Sequence, residues 1–185
     1  MRHLIIVAHP KKKSFTHAIA EAYSSTLVER GHKVECRDLY ALKFNPVLSA
    51  RDLAAMARGR AARDVRAEQA ALRRAEVLTL IAPLWWSGFP AMLKGYVERV
   101  FVDPFLAALS GKKCVIITTA GATVEELKSA GTLRALRIIR DDGMVEFCGM
   151  TLVRHLILGG VPPGMSRAQG DRYLETVRRF ARRAF

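Results

Sequence analysis

Three short apolar runs, Leu4–Ala8, Val77–Ala82 and Cys114–Thr118, are continuous rather than alternating. A strand with one wet face alternates apolar and polar residues, whereas a continuous run marks a strand buried on both faces. Such strands belong to a sheet sandwiched between helices. Val34–Cys36, with polar edges, and Leu152–Leu158 complete a set of five runs.

Helical patterns fill the gaps. Ser14 caps a helix with Phe15, Ile19, Ala22 and Thr26 on one face, ending before Gly31. Ser49 caps a long Ala/Arg-rich helix reaching about Ala75, interrupted by Gly59. Pro90 suits the first turn of a third helix, with Phe89, Met92, Leu93, Tyr96, Val97 and Val100 as its stripe. A further helix covers Val124–Arg140. Ser166-x-x-Gln169 reads as a capping box opening a last helix, with Leu174, Val177, Ala181 and Ala184 inward. Leu39–Leu48 is the one long irregular connection. The alternation predicts an α/β chain, residues 1–185 forming a single domain. Its doubly wound five-stranded parallel sheet takes the flavodoxin-like order 2-1-3-4-5, with helices on both faces. Ligands of such sheets bind beyond the carboxyl ends of the strands.

Those ends carry three distinctive loops. After the first strand comes His9-Pro10-Lys11-Lys12-Lys13-Ser14-Phe15-Thr16, feeding a helix N-terminus. Free backbone N–H groups, two hydroxyls and three Lys suit a phosphate. Neither GxGxxG nor GxxxxGK[ST] occurs, which argues against the usual dinucleotide loop and a P-loop NTPase. After the third strand, Pro83-Leu84-Trp85-Trp86-Ser87-Gly88-Phe89-Pro90 is a stiff aromatic loop holding both Trp of the chain. Large rings there either wall a flat heterocycle or plug the sheet end. After the fourth, Thr118-Thr119-Ala120-Gly121 is a small polar shelf. Together the loops suit a phosphorylated aromatic cofactor, and FMN or the FMN half of FAD fits this fold best.

Charge is the feature that invites another reading. Lys plus Arg total 30 against 17 Asp plus Glu, a net +13. Lys11, Lys12 and Lys13 lie in the phosphate loop, and the remaining clusters lie along the second and last helices as solvated faces. The two Trp sit in an apolar, proline-bounded loop, a poor platform for a nucleic-acid strand, so no nucleic-acid partner is expected. A preference for NADPH is what the charge leaves. The three cysteines, Cys36, Cys114 and Cys148, include no CxxC and read as reduced, buried thiols. His3, His9, His17, His32 and His155 show no metal spacing, so no metal is expected. No run is long enough for a signal segment or a membrane span, which points to the cytoplasm.

His9-Pro10 with Ser14-Phe15, Phe44-Asn45-Pro46, the block Pro83–Phe101, Thr118-Thr119-x-Gly121 and Phe147-Cys148-Gly149 occur in one order over nearly the whole chain. In these motifs the chain resembles the flavodoxin-like NAD(P)H:quinone oxidoreductases. That family includes bacterial drug-activity modulators and the ancillary subunits of glutathione-gated potassium efflux systems. The resemblance implies a flavin enzyme that takes hydride from NAD(P)H and passes two electrons to a quinone or similar acceptor. FMN is favoured over FAD, because no long C-terminal extension offers surface for adenine. It implies a flavin site made by His9, Lys13, Ser14, Phe15 and Thr16 on the phosphate side. Pro83, Leu84, Trp85 and Trp86 would contact the ring, and Thr118, Thr119, Ala120 and Gly121 its other edge. It also implies a homodimer. The alternative role is a redox-sensing ancillary subunit docked peripherally on a membrane transporter. Thr16 stands where Asn is usual, and Ala120 where Gly is usual. Ala122–Leu127 lacks the Tyr, and its continuation the His, that handle charge on the reduced flavin in the family. Glu126 falls near the Tyr position. The loop after the third helix is shortened to Val102–Ser110. No residue is assigned as catalytic.

Overall fold

The computed structural model describes residues 1–185. Five strands, β1 (Arg2–Val7), β2 (Lys33–Asp38), β3 (Val77–Pro83), β4 (Lys113–Thr119) and β5 (Thr151–Leu158), form one sheet in the order β2-β1-β3-β4-β5. Every pairing is parallel. The continuous apolar runs are the three central strands, and both of their faces are buried. Leu4 and Ile6 of β1 pack into one core with Leu78, Leu80, Cys114 and Ile116, while Ile5 and Val7 pack into the other with Ile81, Val115 and Ile117. Edge strands β2 and β5 are only partly covered. Cys36 lies on edge strand β2 and is exposed, against the expectation of a buried thiol; Cys114 and Cys148 are buried.

Helices α1 (Phe15–Glu29) and α7 (Arg167–Ala184) cover the second core. Ser14 caps α1 as predicted, accepting from the His17 N–H at 3.3 Å. Ser166 caps α7, but the reciprocal half of its box is absent. The Gln169 side chain instead donates to the Gly160 carbonyl at 2.8 Å, tying down the loop after β5. That loop, residues 159–166, is a second long connection that sequence reading missed.

On the opposite face the chain departs from two predicted helices. The helix capped by Ser49 breaks at Gly59, whose φ is +64°, into α2 (Ala50–Met56) and α3 (Arg63–Arg74). Val124–Arg140 is not one helix either. It is α5 (Val124–Ser129) and α6 (Thr132–Leu136), separated by Gly131 at φ +74°, followed by a π-helical segment, Arg137–Glu146. The wider π turn shifts which residues face inward and often marks a functional place. Helix α4 (Ala91–Val100) buries Leu93, Tyr96 and Val100, with Phe89, Met92 and Val97 half-buried. Gly95 is required there, because a Cβ would lie 2.0 Å from the Pro46 carbonyl oxygen. No helix is long and apolar enough to cross a membrane.

Candidate functional site

The parallel sheet delivers the three predicted loops to one edge. The Leu84 N–H donates to the Thr119 carbonyl at 2.7 Å, tying the aromatic loop to the shelf after β4. The His9 ring lies 5.7 Å from that of Trp85, joining the first loop to the aromatic one.

In the first loop the N–H groups of Lys12, Lys13, Ser14, Phe15 and Thr16 have no backbone acceptor, because helix geometry leaves the first turn unpaired. Lys13 is exposed, Ser14 and Phe15 are half-buried and Thr16 is buried. The Ser14 hydroxyl contacts His17 Nδ1 at 2.8 Å, and His17 Nε2 pairs with Asp38 at 3.0 Å. His9 Nδ1 accepts from the Lys11 N–H at 3.0 Å, and burial holds its pKa below the ordinary value. Phe15 and Lys13 also border a groove of about 440 Å³, whose far wall is Val161–Arg167. The loop after β5 is thus a fourth wall. Its signal was the run Gly159-Gly160-Val161-Pro162-Pro163-Gly164 at the end of the last strand.

In the aromatic loop, Trp85 and Gly88 exchange both backbone hydrogen bonds. The turn between them puts Trp86 at φ 48° and Ser87 at φ 54°. Positive φ at both central positions is the geometry that Asn-Gly normally serves. Side chains there cost on the order of 1 kcal/mol each. The strain presents Trp86 at 103 % exposure, a full indole touching nothing else in the chain. Trp85 is also exposed, Leu84 is half-buried and Pro83 is buried within β3. The plug alternative therefore fails for Trp86, which plugs no part of the sheet.

On the shelf, Thr118, Thr119 and Ala120 are buried and Gly121 is exposed. The Ala120 N–H is spent on the Leu158 carbonyl at 2.9 Å, so Gly121 offers the first free N–H. Glu126 caps its own helix, accepting from the Thr123 N–H at 2.7 Å, and stays ionised with a lowered pKa held by that bond. A concavity of about 1000 Å³ lies elsewhere, between α2, α3 and the turn after α4. Asp52, Arg63, Gln69, Arg99 and Phe105 line it, and it contains none of the predicted site residues.

A family model described as flavodoxin-like fold matches residues 1–180. An NAD(P)H oxidoreductase of Haemophilus influenzae is 35 % identical over 171 residues, covering 87 % of this chain and 85 % of that one. NAD(P)H dehydrogenase [quinone] 1 of Cavia porcellus is 32 % identical over 194 residues, covering 88 % of this chain and 70 % of its own. Among solved structures, an NAD(P)H:quinone oxidoreductase from Methanothermobacter marburgensis superimposes with a TM-score of 0.88 at 34 % identity, covering 98 % of this chain and 96 % of that one.

Proposed function

This chain belongs to the flavodoxin-like fold family, and from that premise we propose that it is a flavin-dependent NAD(P)H dehydrogenase reducing a quinone-like acceptor. Residues 1–185 act as one flavin-binding domain, FMN being the favoured flavin. The observation that carries the reading is the run of free N–H groups from Lys12 to Thr16, joined through His9 and Trp85 to the exposed indole of Trp86. The donor set fits the group. A row of N–H groups without backbone acceptors, with Lys11, Lys12 and Lys13 beside it, matches a phosphate in charge and shape. A rigid indole standing free matches a flat ring that would cover it.

When bound, the flavin supplies the two-electron chemistry: NAD(P)H, a proton and a quinone become NAD(P)⁺ and hydroquinone. The chain's own residues position and shield. The first loop would anchor the phosphate, Trp85 and Trp86 would pack against the ring, and Gly121 would offer its N–H to it. That positioning would leave the group open to nicotinamide and acceptor in turn. Exposed Ile138, Ile139 and Phe147 on and beside the π segment support a homodimer, since a lone chain gains nothing by wetting them.

The test is direct. Purified protein is yellow, its released flavin identifies as FMN or FAD, and NADPH bleaches it without oxygen and supports benzoquinone reduction. Colourless protein that takes up neither added FMN nor added FAD removes the reading.

A further inference from the structure

Behind the shelf lies a buried cation that the loops alone do not explain. Arg140, on the π-helical segment, is 3 % exposed. Its guanidinium carbon sits 4.1 Å from the centre of the Phe89 ring, which belongs to the aromatic loop. Its Nη1 donates to the Thr118 hydroxyl, on the shelf, at 3.5 Å. Its Nη2 is buried with no partner. The neighbouring carboxylate attracts it through space but makes no hydrogen bond to it. Asp141 is committed to His155 Nδ1 at 2.9 Å, and His155 Nε2 meets the Thr118 hydroxyl at 3.2 Å. Burial holds the His155 pKa below its ordinary value, so the ring is neutral. One assignment then satisfies both His155 nitrogens and the Thr118 hydroxyl: His155 Nδ1–H donates to Asp141, Thr118 O–H donates to His155 Nε2, and Arg140 donates to Thr118. The chain of bonds locks Thr118 and leaves half of the Arg140 fork without an acceptor. Burial lowers the Arg140 pKa only to about 10, so the guanidinium keeps its charge at neutral pH.

A buried donor without an acceptor is a cost that folds rarely retain without a reason. This one is wedged between the two loops that would hold the ring.

We propose that Arg140 is the electrostatic partner of the flavin ring, its charge stabilising the negative charge the ring gains on reduction, with Nη2 left free of any other acceptor. This rests on the flavin reading above. It assigns Arg140 to redox tuning and the Asp141–His155 pair to holding Thr118 in place.

The experiment compares reconstituted wild type with R140M, R140Q and R140K, reading the midpoint potential of the bound flavin and its affinity in both oxidation states. Neutral variants are expected to weaken reduced-flavin binding at least about tenfold more than oxidised-flavin binding, which for a two-electron couple lowers the midpoint by about 30 mV. R140K, which keeps the charge, is expected to retain most of the potential. Flavin-free R140M is expected to melt no lower than flavin-free wild type, because the guanidinium it removes is desolvated, hydrogen-bonds no carboxylate and leaves Nη2 unpartnered. A purely structural Arg140 would give the opposite melting result and an unmoved potential. R140M and R140Q are read by one criterion, so either suffices if the other does not fold. A neutral variant that binds flavin at the wild-type potential overturns Arg140's role and leaves the flavin reading standing. Wild-type protein that takes up no flavin overturns both.

Discussion

Arg99 should be the costliest single charge to remove. Its side chain is 4 % exposed and carries a full set of partners. The guanidinium donates to both Asp52 oxygens, at 3.1 and 3.3 Å, and to Asp64 at 2.6 Å. It also donates to the Asn45 carbonyl at 2.6 Å and stacks 5.3 Å from the Phe44 ring centre. One side chain thus pins α4 to α2, to α3 and to the connection after β2. In Arg99→Met the alkyl stem still packs, but Asp52 is left as a buried carboxylate without its cation. Breaking such a pair from one side costs about 3–5 kcal/mol. Asp64, 39 % exposed on its side chain, recovers water and adds little. Burial pushes the Asp52 carboxyl up, but Arg99 and the Ser49 hydrogen bonds outweigh it and hold the pKa at about 2, below the ordinary 3.8. Wild type therefore has the Asp52 contribution in full above about pH 4 and loses it as pH falls toward 2. In Arg99→Met burial is opposed only by the Ser49 hydrogen bonds, the Asp52 pKa rises, and protonation relieves the folded state. The stability gap between the two proteins should be widest near neutral pH and close as acid is added. Urea unfolding at pH 7, 5 and 3 measures it. Adding Asp52→Leu to Arg99→Met should restore much of the loss, because an apolar pair carries no stranded charge. A gap below about 1 kcal/mol at pH 7, the worth of a surface pair, or one that ignores pH, would refute the reasoning.

Four further outcomes follow from single residues. Gly95→Ala should cost about 3 kcal/mol in urea unfolding, because the new methyl meets a main-chain carbonyl that cannot swing away. Trp86→Ala should change stability by less than about 0.5 kcal/mol yet weaken flavin binding about tenfold, since the indole touches only what would cover it; a lowered melting point would show that it packs on the protein instead. A thiol reagent should label one cysteine, Cys36, in native protein and three after unfolding. His3 is 2 % exposed with neither ring nitrogen partnered, and burial, followed by the charges of His32 and the N-terminus, lowers its pKa to about 4. Its contribution to stability is present above about pH 6.5 and lost as pH falls toward 4. His3→Phe should flatten that part of the pH–stability curve, and an unchanged slope would place the titration elsewhere.

The sheet was legible because buried strands announce themselves. Leu4–Ala8, Val77–Ala82 and Cys114–Thr118 contain no charged residue, and once they are central strands the order and the loop edge follow. The fourth wall was less visible, because Gln169 looked like a helix cap and turned out to hold Gly160. Cys36 is exposed because it lies on the second strand, which the order 2-1-3-4-5 puts at the sheet edge, where strand-like character does not guarantee burial. The Val124–Arg140 reading failed for a sharper reason. A search at 3.6 residues per turn cannot see a π turn, where residues five apart stack. Arg140 and Val145 are both buried at that spacing, in a stretch whose Arg, Asp and Gly read as solvated surface.

That failure concealed the contrast that separates structural charge from ligand-directed charge in this protein. Among 30 basic residues, Arg99 and Arg140 are the two arginines that fall in the buried class. Arg99 has carboxylates on both sides and a carbonyl beyond them, and the fold asks nothing more of its surroundings. Arg140 has a hydroxyl, an aromatic face and an empty Nη2, while the carboxylate beside it in sequence is held by His155. Were Arg140 structural, the cheapest repair would be to release Asp141 from His155 and turn it toward the guanidinium. The fold instead spends Asp141 on fixing Thr118 at the shelf. A buried cation whose Nη2 lacks an acceptor, packed against residues of both the aromatic loop and the shelf, is complementary to a guest that brings negative charge. That is why removing Arg99 should unfold the protein more readily, while removing Arg140 should change what it binds.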